Sequence, residues 1–401
     1  MLMGLAELTT MAFQGADLSL IELGLTARVM DNPEDAEALM DLSTLSLLLG
    51  KRFEHEVFQR QALALQRLFR QSTRRTPQGA HILCVMITGD FSANTPIEFL
   101  LKDFDVTLDK LFLLPGEELP SVVPEHDILF VGISESEDTI AMLSGLDCSL
   151  ENWPKPVLNR PLPIQKLIRD EAYAVLKRAE GCFIPLNKRI DRTDFERIAG
   201  HGALLREALG ADFPIIARPV DSHAGKGLEK LDDQGAALAY LAAQAETAFF
   251  ISPFVDYRSG DGLFRKYRIA LVDGVAFPVH MAISKHWMVH YLNADMMENA
   301  ANRAEEAQFM LFFDKSFAPR HQTAFDSMNR LLGLDYVLMD CAEMPDGRLL
   351  IFEVGNAMIV HAMDPVSLFP YKAPTVRRLF EAFHAMIREH AHKASLSLVG
   401  G

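Results

Sequence analysis

Apolar and polar positions change rhythm along the chain, and each rhythm predicts a different kind of structure. Up to about residue 75 the apolar positions recur at helical spacing. Asn32-Pro33-Glu34-Asp35 supplies a cap, a first-turn proline and early acids, and the apolar run that follows stops at Gly50, so a helix is expected there. A second helix is expected over 52–70. After QSTRRTPQG, short apolar runs alternate with helical stretches: a buried strand at His81–Ile87, a helix over 95–102, a strand over 128–133 and a helix over 137–146. That order predicts a βαβ unit with a parallel sheet. A helix over 167–178 and a strand-like 182–186 follow. From Phe213 the pattern is strand, glycine loop, strand, helix (235–246), then three strands in succession.

The last strong signal is a hairpin. Two apolar runs, YVLM and LLIF, flank Pro345-Asp346-Gly347, where proline presets φ and Asp-Gly tolerates a tight reversal. A turn centred between Asp346 and Gly347 places Asp340 opposite Glu353 on one face. Two carboxylates side by side repel, unless one is protonated or a hard cation with bound phosphate lies between them. With Asn356, they form a set of oxygen ligands suited to Mg²⁺.

Other stretches carry candidate chemistry of the opposite sign. Gly225-Lys226-Gly227 lies in a loop directly after a strand, where small residues let backbone N–H groups and a lysine approach a phosphate. Ser222 belongs to the same loop, and Arg218 in the strand before it would aim a cation there. Lys266 and Arg268 lie two apart, hence on one strand face, where paired cations need a shared anion. Pro253 predicts an edge or hinge position for its strand, against whose free backbone groups an adenine could lie with Asp256 on the ribose hydroxyls. His280, Lys285, His286 and His290 surround Trp287 and are candidates for substrate contact. Asp90 and Asn94 follow the first parallel strand at the edge where such sheets bind ligands, with loop capping an equal alternative. The loops 90–95, 134–138 and 285–290 are expected to build the substrate pocket.

Composition narrows the class. A chain of 401 residues exceeds one ordinary core. A net charge of −15 argues against general affinity for nucleic acid or anionic membrane, while leaving room for a local cationic cleft. Cys84, Cys148, Cys182 and Cys341 form no CxxC spacing and are expected as buried free thiols. No apolar run reaches the roughly 18 residues of a membrane span, and the N-terminus lacks the basic start of a signal peptide. A cytoplasmic location is the expectation.

IIARPVDSHAGKG, DYRSGDGLFRKYRIALVDG and MDCAEMPDGRLLIFEVGNAM together resemble the ATP-grasp superfamily, nearest to its glutathione-synthetase and ribosomal-protein glutamate-ligase branch, over roughly residues 80–385. The resemblance implies an α/β fold. An α/β domain (76–160), a central subdomain (161–255) and a C-terminal subdomain (256–401) would grip ATP between two antiparallel sheets. It also implies a ligase that activates a carboxylate as an acyl phosphate for capture by an amine. Phosphorylation of a small molecule, or nucleotide binding without catalysis, are the alternatives. Carried over, Asp340, Glu353 and Asn356 hold Mg²⁺, Arg218 contacts phosphate, Arg169 matches an earlier phosphate or adenine contact, Ser252, Phe254 and Asp256 line the adenosine site, and Arg268 stabilises the transferring phosphoryl group. The chain departs from the pattern at Glu353-Val354-Gly355-Asn356, where the amide comes one residue late, at Arg218, where lysine is usual, and at Ser252-Pro253. Residues 1–75 lie outside the resemblance and are similar to a tetratricopeptide-like hairpin, expected as a cap on the next domain or as a partner or homodimer surface.

Overall fold

The computed structural model describes residues 2–72, 79–220, 222 and 225–399. Residues 73–78 of the expected linker, and Asp221, His223 and Ala224 of the glycine loop, lie outside the described residues.

Helices Leu5–Phe13, Leu18–Asp31, Ala36–Leu48 and Arg52–Leu65 open the chain. The third begins where Asp35 accepts from the Ala38 N–H and ends before Gly50 in a left-handed conformation (φ 75°), matching its sequence signals. The fourth is shorter than expected. Residues to Arg70 were expected to be helical, yet the helix ends at Leu65 and β1 (Leu68–Ser72) begins. The reason is Phe69, which is buried against Phe112 with ring centroids 5.9 Å apart.

The chain is mixed α/β, with three sheets among its described residues. The first has the order β1-β3-β2-β4-β5, where β2 is His81–Ile87, β3 Thr107–Leu113, β4 Ile128–Val131 and β5 Val157–Leu158. All neighbours are parallel except β1 and β3. The expected βαβ unit is therefore present, with β3 inserted as an element that the sequence pattern hid. Asp109 and Lys110 interrupt its apolar run, yet both are buried. Arg70, directly across in β1, and His81 each lie 2.7 Å from the Asp109 carboxylate, and Lys110 pairs with Glu98. Burial of such charges is tolerable only because each has its partner.

The second sheet, fully antiparallel, has the order β7-β10-β8-β9: Lys188–Asp191, Ala248–Pro253, Ile215–Pro219 and Glu229–Leu231. Its core, around Phe195, Tyr240 and Phe249, is separate from the rest. The strand carrying Pro253 is central in this sheet, correcting the expectation of an edge. The ladder with β7 covers only Ala248 to Ile251, so Pro253 sits beyond it and the missing N–H costs no bond on that side.

The third sheet runs β12-β11-β13-β14-β6: Val275–Ser284, Phe264–Val272, Tyr336–Glu343, Leu349–Gly355 and Cys182–Phe183. It is antiparallel apart from the short β14–β6 pair. The C-terminal helix Lys372–Val399 joins it to the first sheet, with the Phe383 ring 5.7 Å from Phe130 of β4 and 5.2 Å from Tyr336 of β13. Asn159 adds a second tie, exchanging two 2.8 Å hydrogen bonds with the Tyr336 backbone. Cys84, Cys182 and Cys341 are buried free thiols as expected, but Cys148 is exposed. No helix among the described residues is long and apolar enough to cross a membrane.

Candidate active site

The hairpin β13–β14 brings Asp340 opposite Glu353, the expected pair, by a different route. Near the turn Glu343 pairs with Leu349 and Cys341 with Ile351, which centres the reversal on Asp346. A bulge at Phe352 then shifts the register by one residue, so Asp340 faces Glu353 after all. Leu349, Leu350 and Ile351 are fully buried, which pins this register at roughly 1.5–3 kcal/mol per side chain. The bulge precedes Glu353, so it leaves the spacing from Glu353 to Asn356 unchanged.

Each acid of the pair is met by cations. Asp340, 2% exposed, lies 2.9 Å from Lys266 Nζ and accepts from Arg268 Nε at 2.7 Å and Nη2 at 3.0 Å. The pairing follows from topology, because Arg268 stands directly across from Asp340 in the ladder between β11 and β13. Glu353 accepts from Arg169, at the start of helix Arg169–Leu176, and lies 4.0 Å from Arg218 Nη1. Burial by itself would raise both carboxyl pKa values. Arg268 and Lys266 outweigh it at Asp340, and Arg169, with Arg218, outweighs it at Glu353, so both are held below the usual carboxylate range.

Arg218 is itself buried, and burial, aided by the charge of Arg169, pushes its pKa down to about 9. Its Nε donates to Ser222 Oγ at 3.1 Å, which ties the clamp of cations around Asp340 and Glu353 to the glycine loop. Gly225 (φ 74°) approaches His290 so closely that a Cβ there would lie 2.4 Å from His290 Nε2, and Gly227 (φ 65°) turns the chain beside Pro219. Lys226 is exposed.

The remaining expected residues divide. Ser252 is buried, Phe254 lies under Lys230 Nζ at 4.8 Å and edge-on to Trp287, and Asp256 is exposed and paired with Arg258. His280 stands across from Arg268, and burial, then Arg268 and Lys372, hold its pKa well below the ordinary value. His290 is lowered by burial and by Lys266, while Lys285 and His286 are exposed. Asn94 spends both ends of its amide on the Ile87 backbone, at 2.9 and 2.8 Å, and so closes its own loop. Asp90 caps the loop through Ser92 and pairs with Arg52 at 3.2 Å. For these two, capping is what the geometry displays.

Sequence reasoning missed the individual importance of Glu135, although it marked the loop 134–138. Glu135 follows β4 at the carboxyl edge of the parallel sheet, the one available signal. Its Oε2 is buried without a hydrogen-bond partner. Burial, together with the charge of Glu353, pushes its carboxyl up to about 8. Asn356 has the same character. It is fully buried, its Nδ2 donates to the Ile133 carbonyl at 2.8 Å, and its Oδ1 has no partner.

No protein-family model matches the chain, and no curated protein does. Among solved structures it is similar to the VanG D-Ala:D-Ser ligase of Enterococcus faecalis, at 11% identity and a TM-score of 0.48, covering 77% of this chain and 100% of that one. A RimK domain protein ATP-grasp from Sphaerobacter thermophilus DSM 20745 aligns at 14% identity and TM-score 0.40, over 78% and 99%. The D-alanine–D-alanine ligase of Bacillus anthracis, complexed with ATP, aligns at 13% and 0.43, over 79% and 98%. Likenesses of this order leave the function to be read from the chain's own side chains.

Proposed function

We propose that the chain is an ATP- and Mg²⁺-dependent ligase that joins a carboxylate to an amine through an acyl phosphate. The observation that carries this is a charge imbalance: among the described residues, Arg169, Arg218, Lys266 and Arg268 converge on two ionised acids, Asp340 and Glu353. Cations in excess at so buried a place favour an anion from outside, and a nucleotide triphosphate supplies it. Ser222, in the loop that also carries Lys226, is hydrogen-bonded to Arg218.

The donor set also suits the metal. Among the described residues no three His, Cys, Asp or Glu side chains gather into a self-sufficient cage. Two carboxylates and the unpartnered Asn356 Oδ1 suit Mg²⁺, which is commonly held by one or two carboxylates together with substrate phosphates. Asp340, Glu353 and Asn356 would hold it, and when bound it would neutralise charge on the β- and γ-phosphates. Asp340 and Glu353 would then exchange their arginine partners for the metal, releasing Arg268 and Arg169 to the phosphates. Ser252, Phe254 and Asp256 would receive the adenosine.

In this scheme a substrate carboxylate oxygen attacks the γ-phosphorus, the bond to ADP breaks, and the free-base amine then forms the C–N bond to the acyl carbon as phosphate leaves and the nitrogen gives up one proton. Arg268 would oppose the charge that develops on the transferring group, a role whose loss costs on the order of 10²–10³ in rate. The test is a screen of acid and amine pairs that reads ADP release with Mg²⁺-ATP, with Asp340→Asn as the control. Release that needs both co-substrates and disappears in the variant is expected. Mg²⁺-ATP binding with no pair ever raising ADP release would refute the reading, and a stable phosphorylated product without amide would make the protein a kinase.

A further inference from the structure

Resting on that ligase reading, we infer that Glu135 is the seat of the amine substrate, receiving its ammonium group on the unpartnered carboxylate oxygen Oε2. Three features of the structure carry this. Glu135 lies where the first sheet meets the end of the hairpin, so close to Gly355 that a Cβ there would be 3.3 Å from Glu135 Oε1. Asn356, the next residue, is anchored two positions before Glu135, on the Ile133 carbonyl. The loop after β4 and the metal end of the clamp therefore share one wall.

The second feature is the missing partner. Glu135 Oε2 is closed off from solvent and accepts no hydrogen bond, and a buried acceptor left without a donor is destabilising. The cation nearest in its electrostatics, Arg169, is already spent: its Nη2 donates to Glu353 and its Nη1 to the Phe352 carbonyl. A ligand cation would supply the partner that Glu135 lacks among the described residues.

The third feature is chemical. An amine reaches the enzyme mostly as its ammonium, so it brings a positive charge. The phosphates and the carboxylate are drawn to the arginine-rich side. Glu135 has no cation of its own among the described residues, and burial with the neighbouring Glu353 charge already disfavours its bare ionised form. A ligand cation relieves both penalties.

The test compares ammonium probes with uncharged hydroxyl counterparts: ethylamine against ethanol, and glycinamide against glycolamide. Each is titrated by NMR into wild type, Glu135→Gln and Glu135→Asp, with and without Mg²⁺ and a non-hydrolysable ATP analogue. Wild type is expected to prefer at least one ammonium probe tenfold or more, the Gln variant to lose that preference and the Asp variant to keep part of it. No preference in wild type, or an equal preference in wild type and the Gln variant, overturns the assignment. So does a fall in Mg²⁺-nucleotide affinity in the Gln variant, because Glu135 would then belong to the metal end. Nucleotide binding in the amine-free titration reports on the ligase reading separately, so the two failures are told apart.

Discussion

Strand β11 carries charge on both of its faces, and the two faces have opposite fates. On one, Lys266 and Arg268 meet Asp340 beside a second acid that has its own arginines, and unpartnered oxygens of Glu135 and Asn356 lie close by. On the other, Arg265 is held by Asp261 and Glu305, and Glu343 takes hydrogen bonds from His321 and Arg320, each at 2.8 Å. That second face borders a cavity of about 430 Å³ lined by Tyr257, Asp261, Arg265, Tyr267, Glu305 and Glu343. Room and charge are thus present on both sides of one strand. Only the first face leaves charges in excess and acceptors unmet, and it is this imbalance, rather than volume, that marks a place built for a ligand.

The largest break in the comparison is expected from Asp340→Asn. Removing one partner of a buried ion pair leaves Lys266 and Arg268 facing each other, at a cost of about 3–5 kcal/mol. Urea unfolding should register that loss. Tripolyphosphate should raise the midpoint of the variant more than that of wild type, since the stranded cations then regain an anion. A variant as stable as wild type would mean that the pair is not strongly coupled to the fold.

The contrast between the faces was half legible in the sequence. Alternation placed Lys266 with Arg268, and turn chemistry with two apolar runs placed Asp340 opposite Glu353, although the turn is centred half a residue earlier and the Phe352 bulge makes up the difference. Such features are local, because side-chain period and turn geometry fix them within a dozen residues. Strand β3 stayed hidden because Asp109 and Lys110 look exposed until Arg70, His81 and Glu98 are seen beside them. The state of Glu135 was hidden for a related reason. Its missing partner becomes apparent only when Gly355 and Asn356, more than 200 residues later, close the wall around it. Long-range neutralisation and long-range desolvation leave no periodic trace.

The acids of the active face should also separate by the sign of their pH dependence. Asp340 and Glu353 are held low, so the stability they contribute is present above the ordinary carboxylate range near pH 4 and is lost as pH falls through their folded-state values. Glu135 is the reverse. Its folded-state value, about 8, lies above the ordinary 4.5, so wild type loses stability as pH rises between these values and levels off beyond them. Glu135→Gln should abolish that decline and be the more stable protein at pH 8, by no more than ~5 kcal/mol at 1.36 kcal/mol per pK unit. Denaturation midpoints of the two proteins at pH 5 and pH 8 provide the check. A gap that does not widen with pH would remove Glu135 from the contrast.

The smallest effect belongs to the satisfied face. In Glu343→Gln an acceptor oxygen remains for the buried His321, and the lost ion pair with Arg320 involves a guanidinium that is 50% exposed, so the cost should be about 1 kcal/mol or less. Mg²⁺-ATP-dependent ADP release should stay within about twofold of wild type, because the change lies across the sheet from Lys266 and Arg268 and leaves their partners untouched. A tenfold fall in ADP release with the fold intact would show that β11 transmits charge changes from one face to the other. Completeness of ion pairing would then no longer separate an inert face from an active one.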